Sequence, residues 1–206
     1  MRTVVFNGAG AGTGITNLVA LVEDGRIIAE KRLTGRGASE HFAPALRAIL
    51  EEGGWFSAPD VVVAVIGPGS FTGLRASLSL AAGLAAGWNC PTVGVTIGEA
   101  IRETLGRPDA ACVSLARRGR FFVDPPNGAV FASPVNDLDA SSFSAIAGDG
   151  VGELEVWPCP VLDCMAPDAL GIVRAAEGKS PKPLMPLYVD PPEAKPPAAG
   201  LRPLPQ

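Results

Sequence analysis

The chain has 206 residues, a formal net charge of −4 and an apolar fraction of 47%. That length allows one large domain or two small ones, with ample apolar material for a core. The acidic balance, with a pI near 5.1, excludes a protein that grips nucleic acid chiefly through phosphates, because that role needs a basic face.

Thr3 to Phe6 is a short β-branched and aromatic run that predicts a strand. It leads into the glycine-rich stretch Gly8-Ala9-Gly10-Ala11-Gly12-Thr13-Gly14. Asn17 to Glu23 and Arg26 to Leu33 predict two more strands, joined by Asp24-Gly25, a type I′ hairpin signal. Ser39 to Glu52 predicts a helix, with Ser39 placed to cap it and Phe42, Leu46, Ile49 and Leu50 recurring at helical spacing. Pro44 falls near its first turn, where a missing N–H costs least, and Gly53-Gly54 ends it. After its first residue, Asp60 to Ile66 is an unbroken β-branched and apolar run, the pattern of a strand buried on both faces. It runs into Gly67-Pro68-Gly69-Ser70-Phe71-Thr72-Gly73 and then a helix from about Leu74 to Trp88. Pro91 to Thr96 predicts another buried strand, and Glu99 to Leu105 the next helix.

Beyond Gly106 the pattern weakens. Ala110 to Leu115 and Arg120 to Val123 predict a strand pair. Arg117, Arg118 and Arg120 around its turn form the densest basic stretch, either an exposed turn or a rim contact for tRNA or a partner. Ala129 to Ala132, Ala145 to Ala147 and Leu154 to Trp157 are short apolar runs of the kind α/β subdomains use. Ala166 to Glu177 predicts a last helix closed by Gly178, and proline dominates after Ser180. Cys90, Cys112, Cys159 and Cys164 form no CxxC pair and His41 is the only histidine, so no metal or cofactor is expected. Met1 to Asn7 lack the apolar core of a signal peptide, and no uncharged apolar stretch of about 18 residues occurs. A reduced cytoplasmic protein without membrane contact is the expectation.

In the loop before the long helix, Gly67, Gly69 and Gly73 let the backbone turn sharply and approach another surface closely. Pro68 stiffens the turn and Ser70 or Thr72 can cap the helix. Arg75 in the first turn offers a counter-charge to an anion at the helix start. The loop has neither a Lys-Ser/Thr pair nor GxGxxG spacing, so a ligand loop and a structural turn both fit it. Ser70 stands in Gly-Ser-Phe-Thr-Gly, the wrong spacing for a nucleophile elbow, and His41 has no evident nucleophile or orienting group; no catalytic residue is assigned. Along the helix, Gly73, Ser77, Ala81 and Ala85 repeat every four residues, as do Ser79, Gly83 and Gly87. Small residues at that spacing leave a groove that another helix can approach closely, with Leu74, Leu78 and Leu80 adding apolar area. Packing on the chain's own sheet is the other use of such a face. The helix is small or apolar nearly all round, so a partner over its outer face is expected.

The segment Val61 to Arg75, with Ser39 to Leu46 before it and Pro91 to Thr96 after it, resembles the signature of the TsaB (YeaZ) family. Pro186-Leu187-Tyr188-Val189-Asp190-Pro191-Pro192-Glu193-Ala194-Lys195 is similar to that family's closing motif. The resemblance covers residues 1 to about 105, while 106 to 180 match in length and texture. It implies an α/β ASKHA (actin/Hsp70-like) fold of two ribonuclease H-like subdomains, the second reduced. The expected division is 1–105 with the dimerisation helices, 106–195 as the smaller subdomain, and 196–206 as a Pro-rich tail. The resemblance also implies a non-catalytic scaffold subunit for a TsaD-type catalytic subunit in forming N6-threonylcarbamoyladenosine in tRNA. A TsaE-type ATPase would be recruited, tRNA would be touched only indirectly, and a homodimer is the other pairing such a surface allows. Family dimers form through helices matching 39–52 and 72–88 here. The expected contacts are therefore His41, Ala45, Ile49, Phe71, Leu74, Ser77, Leu78, Ala81 and Ala85, beside the signature loop Gly67, Pro68, Gly69, Ser70, Phe71, Thr72, Gly73 and Arg75.

Two departures bear on chemistry. Many relatives begin with Asp-Thr-Ser or Asp-Thr-Ala, where this chain has Asn7-Gly8-Ala9, and Ala38 stands in place of a histidine. Losing that carboxylate removes the obvious ligand for a Mg²⁺-nucleotide. It argues against the alternatives, a self-sufficient ASKHA-type ATPase or kinase, or a peptidase-like protein.

Overall fold

The computed structural model describes residues 1–10, 17–34 and 38–189. Ala11 to Gly14 of the glycine-rich stretch, the side chain of the expected Ser39 cap, residues 190–195 of the closing motif and the 196–206 tail lie outside what is described.

Strands β1 (Arg2–Asn7), β2 (Asn17–Glu23) and β3 (Arg26–Leu33) form an antiparallel meander. Asp24 and Gly25 turn between β2 and β3 with φ of 48° and 75°, the pair of positive values that a type I′ turn requires. β4 (Val61–Gly67) runs parallel to β1 and β5 (Thr92–Thr96) parallel to β4, so the five-stranded order is β3-β2-β1-β4-β5. Helices α1 (Phe42–Glu52) and α2 (Phe71–Trp88) pack together over one face, α1 on β2 and β3, α2 on β4 and β1. Helices α3 (Ile97–Leu105) and α4 (Ala169–Ala176) pack together over the other, and α4 touches all five strands. Consecutive residues Val4, Val5 and Phe6 are consequently all 0% exposed, which a sheet open to water on one side cannot give.

A second sheet has the order β8-β7-β6-β9, built from β6 (Ala111–Ala116), β7 (Arg120–Asp124), β8 (Phe131–Pro134) and the two-residue β9 (Ile146–Ala147). Ala111, Val113, Phe121, Val123 and Ile146 form its small core. Leu154 to Trp157 is not a strand; Trp157 instead lays its ring on Phe121 at 5.6 Å and donates Nε1–H to the Val151 carbonyl at 2.8 Å.

Capping chemistry explains where helix starts differ from the predicted ones. α2 begins at Phe71 rather than Leu74 because the Ser70 hydroxyl accepts from Gly73 N–H at 3.3 Å. α3 begins at Ile97 through a capping box, in which Thr96 Oγ1 accepts from Glu99 N–H and Glu99 Oε2 from Thr96 N–H. α4 starts only at Ala169, after the Asp168 cap. α1 is preceded by a 3₁₀ turn over Ala38–His41 and so starts at Phe42.

One buried ion pair joins the two sheets. Arg102 of α3 places Nη2 at 3.2 Å from Asp124 Oδ1 at the end of β7, with side-chain exposures of 12% and 5%. Arg102 also donates to the Asp124 carbonyl, and Asp124 Oδ2 accepts from Gly98 N–H at 3.1 Å. Removing one partner leaves a charge in a dry site, which costs about 3–5 kcal/mol. Arg102→Met is expected to lower the urea midpoint by an amount equivalent to about 3 kcal/mol, with an unchanged denaturant slope.

Candidate functional site

The site grows from the carboxyl ends of two neighbouring parallel strands. β1 ends at Asn7, which is 0% exposed and whose Oδ1 accepts from Ala9 N–H at 3.0 Å, closing an Asx-type turn. Asn17 Oδ1 accepts from Gly10 N–H at 3.1 Å and holds the next residue of that loop. β4 ends at Gly67, and its loop comes back against the first one: Ser70 N–H donates to the Ala9 carbonyl at 2.8 Å. The contact is backbone on backbone. A Cβ at Gly69 would run into the Ala9 carbonyl, and one at Gly73 into the Gly8 carbonyl. The two signature glycines thus serve an internal contact between loops, which is the structural use of the motif. Ser70 is likewise occupied, as the cap of α2.

The C-terminal segment completes the site. Lys182 N–H donates to the Thr92 carbonyl at 3.0 Å, and Thr92 Oγ1 returns a bond to the Lys182 carbonyl at 2.6 Å. Leu187 N–H donates to the Ile66 carbonyl at 2.8 Å, one residue before the signature loop. Tyr188 then stands against α2. Its ring lies 5.5 Å from that of Phe71, and its hydroxyl accepts from Arg75 Nε at 2.9 Å. The Arg75 guanidinium sits 3.9 Å over the centre of the Phe71 ring. Phe71 and Tyr188 are 47% and 44% exposed, so this corner faces solvent. The signature and closing motifs, separate in sequence, therefore meet in space. No local signal in the sequence ties Tyr188 to Arg75, which lies 113 residues away.

The expected contact residues divide into two groups. His41, Phe71 and Arg75 are exposed, as is Thr72. Ala45, Ile49, Leu74, Ser77, Leu78, Ala81 and Ala85 are buried in the chain's own core, none more than 6% exposed. The four-residue repeat of Gly73, Ser77, Ala81 and Ala85 points inward, because small side chains let α2 lie close over the sheet and over the β1 loop. The outward face belongs to the other repeat: Ser79, Ala82, Gly83, Ala86 and Gly87 are exposed, and a Cβ at Gly83 or Gly87 would meet nothing within 4 Å. The first stripe is thus buried in the chain's own core, and the second faces solvent.

Among the described residues no group of His, Cys, Asp and Glu could hold a metal ion. No helix among them is long and apolar enough to cross a membrane. Arg117 and Arg118 lie exposed at the β6–β7 turn. Burial pushes the Cys112 thiol far above the ordinary thiol range, which favours the neutral thiol over the thiolate.

Comparisons with known proteins agree with this architecture. The profile of the family described as "TsaD: tRNA N6-adenosine threonylcarbamoyltransferase" matches residues 28–121. An uncharacterized protein of Mycobacterium bovis is 32% identical over 182 residues, spanning 82% of this chain and 84% of its own. An uncharacterized Mycobacterium tuberculosis protein matches equally well. Among solved structures, a Pseudomonas aeruginosa protein described as similar to "peptidase YEAZ" superposes with a TM-score of 0.73 at 22% identity, over 92% of this chain and 99% of that one. The P. aeruginosa YeaZ structure superposes with a TM-score of 0.71 at 21% identity, over 91% of this chain and 99% of that one. Two sheets, helix pairs on both faces of the first, and interlocked strand-end loops define an ASKHA-type protein of two ribonuclease H-like subdomains, the second reduced. Within that class, the chain has the YeaZ (TsaB) fold, matches the TsaD family model over residues 28–121, and belongs to one family with the mycobacterial proteins.

The inward stripe is tested by overfilling it. Ser77 is 0% exposed, donates to the Leu74 carbonyl at 3.2 Å and lies against Gly8. Ser77→Leu is expected to cost about 2 kcal/mol or more, read as a lower thermal midpoint, because the added volume has only backbone to displace.

Proposed function

We propose that the chain is a non-catalytic subunit that pairs with a TsaD-type catalytic subunit in forming N6-threonylcarbamoyladenosine in tRNA. The N-terminal subdomain, 1–105, is the docking half. The observation that carries the pairing is the outward stripe of α2. Ser79, Ala82, Gly83 and Ala86 are exposed on an 18-residue helix, leaving a shallow strip with almost no side-chain height. A helix whose water-facing surface is this small and apolar gains little from solvent, and the strip lets a partner helix approach backbone to backbone. His41, the residue just before α1, and Arg47 on α1 are exposed and would form the polar rim.

Catalysis belongs to the partner in this scheme. Asn7 stands where a magnesium-binding chemistry would want a carboxylate, and its amide oxygen is already used by Ala9 N–H. A TsaE-type ATPase joins the pair, tRNA reaches this chain only through its partners, and the assembly works in the cytoplasm. The acidic net charge of −4 supports that indirect role toward RNA.

Co-purification with the TsaD-type subunit of the same organism tests the pairing. Gly83→Arg fills open space, so the isolated chain should keep its thermal midpoint or gain about 0.5–1 kcal/mol from losing a mid-helix glycine. The same substitution should abolish the complex on size exclusion. Retention of a wild-type complex by Gly83→Arg would show that the stripe is not the docking face, and appreciable ATP hydrolysis by the chain alone would refute the non-catalytic role.

A further inference from the structure

Arg75 is an unusual surface arginine because two elements fix it in place. Its own helix supplies Phe71 one turn earlier, under the guanidinium at 3.9 Å. The C-terminal segment supplies Tyr188, whose hydroxyl takes the Nε hydrogen at 2.9 Å from 113 residues away in sequence. That segment is itself held by the Leu187 and Lys182 bonds to Ile66 and Thr92. Among the described residues Arg75 makes no ion pair and no further hydrogen bond, so both terminal nitrogens of the fork are unengaged. An arginine side chain normally loses substantial rotamer freedom on binding; here much of that loss has already occurred in the free chain. Its unengaged edge is planar and cationic, the shape that takes a carboxylate through two parallel bonds.

We propose that Arg75, held between Phe71 and Tyr188, is the anchor by which this chain takes an acidic side chain of its TsaD-type partner. The proposal rests on the subunit function above and adds the chemistry of the contact to it. The occupant is a carboxylate on protein, by local charge complementarity: this corner is an exposed cation that forms no ion pair among the described residues. Arginine and tyrosine flanked by small, flat surface are also the side chains that dominate binding energy at protein contacts. The corner lies at the first turn of α2, continuous with the Ser79 to Gly83 stripe, so one partner surface spans both. A nucleic-acid base stacked on the same rings is disfavoured, since RNA would bring a run of phosphates to an acidic protein.

The test is titration calorimetry of the full chain against the purified TsaD-type subunit, at low and at physiological salt. Arg75→Glu should weaken binding about 30-fold or more, the scale of an interface hot spot. Arg75→Lys, which keeps the charge and loses the fork, should remain clearly weaker than wild type. Tyr188→Phe, which releases Nε and leaves the ring, should give a smaller loss of several-fold. Both sites are exposed, so thermal midpoints of all three variants should stay within the error of wild type. If no complex forms with the wild-type chain, the subunit function itself is wrong. If the wild-type complex forms and Arg75→Glu binds equally well, only the anchor is wrong. If Arg75→Glu loses binding to labelled tRNA while pairing normally, the corner is an RNA contact and the carboxylate assignment is overturned.

Discussion

Two loops that touch through bare backbone set the geometry of this protein. The turn after β1 and the turn after β4 come together where Ser70 N–H meets the Ala9 carbonyl, at a separation that leaves no room for a Cβ on Gly69 or Gly73. Everything that follows the second loop inherits its position. Ser70 caps α2, α2 lies close over β1 and β4 with its small inward residues, and the outward stripe is displayed at a fixed angle to the sheet. A conventional side-chain contact would tolerate shifts of an ångström or so by changing rotamers. Two backbones in contact have no rotamers to change, so the loop pair acts as a rigid pivot.

That pivot also accounts for what the signature motif is for. A glycine-rich loop between a buried strand and a helix invites a phosphate, and the residue types alone leave that use open. In the folded chain the loop is occupied by its neighbour, its serine hydroxyl by the helix start, and the Asn7 amide by its own turn. The part of the motif left facing outward is Phe71, Thr72 and Arg75, which suits recognition of another surface.

Much of this was legible in the sequence. The Asp24-Gly25 turn fixed the hairpin, since its local chemistry admits one answer, and the unbroken run over β4 identified a strand covered on both sides. The orientation of α2 was not legible. Two interleaved stripes of small residues, one starting at Gly73 and one at Ser79, carry the same signal at the same period, and only the position of the sheet says which is buried. Helix starts were misplaced by a few residues wherever a cap reached further than the periodic pattern, as at Ser70 and Thr96. The Arg75–Tyr188 contact was hidden for a different reason: a bond across 113 residues leaves no trace in local spacing. Weak apolar runs such as Leu154 to Trp157 imitate strands because one aromatic packing on a small core looks the same in sequence.

The placement of α4 has a consequence for how the molecule forms. All five strands of the first sheet are specified by residue 96, yet half the cover of one face is a helix that begins at Ala169. The second sheet must lie between them in sequence, so closing that face means closing a long loop. Contacts of such wide sequence separation slow folding, because chain entropy is spent before the contact repays it. Until α4 docks, part of an apolar sheet stands open to water. The two sheets are separable in topology, and the last helix is the closing piece of the first.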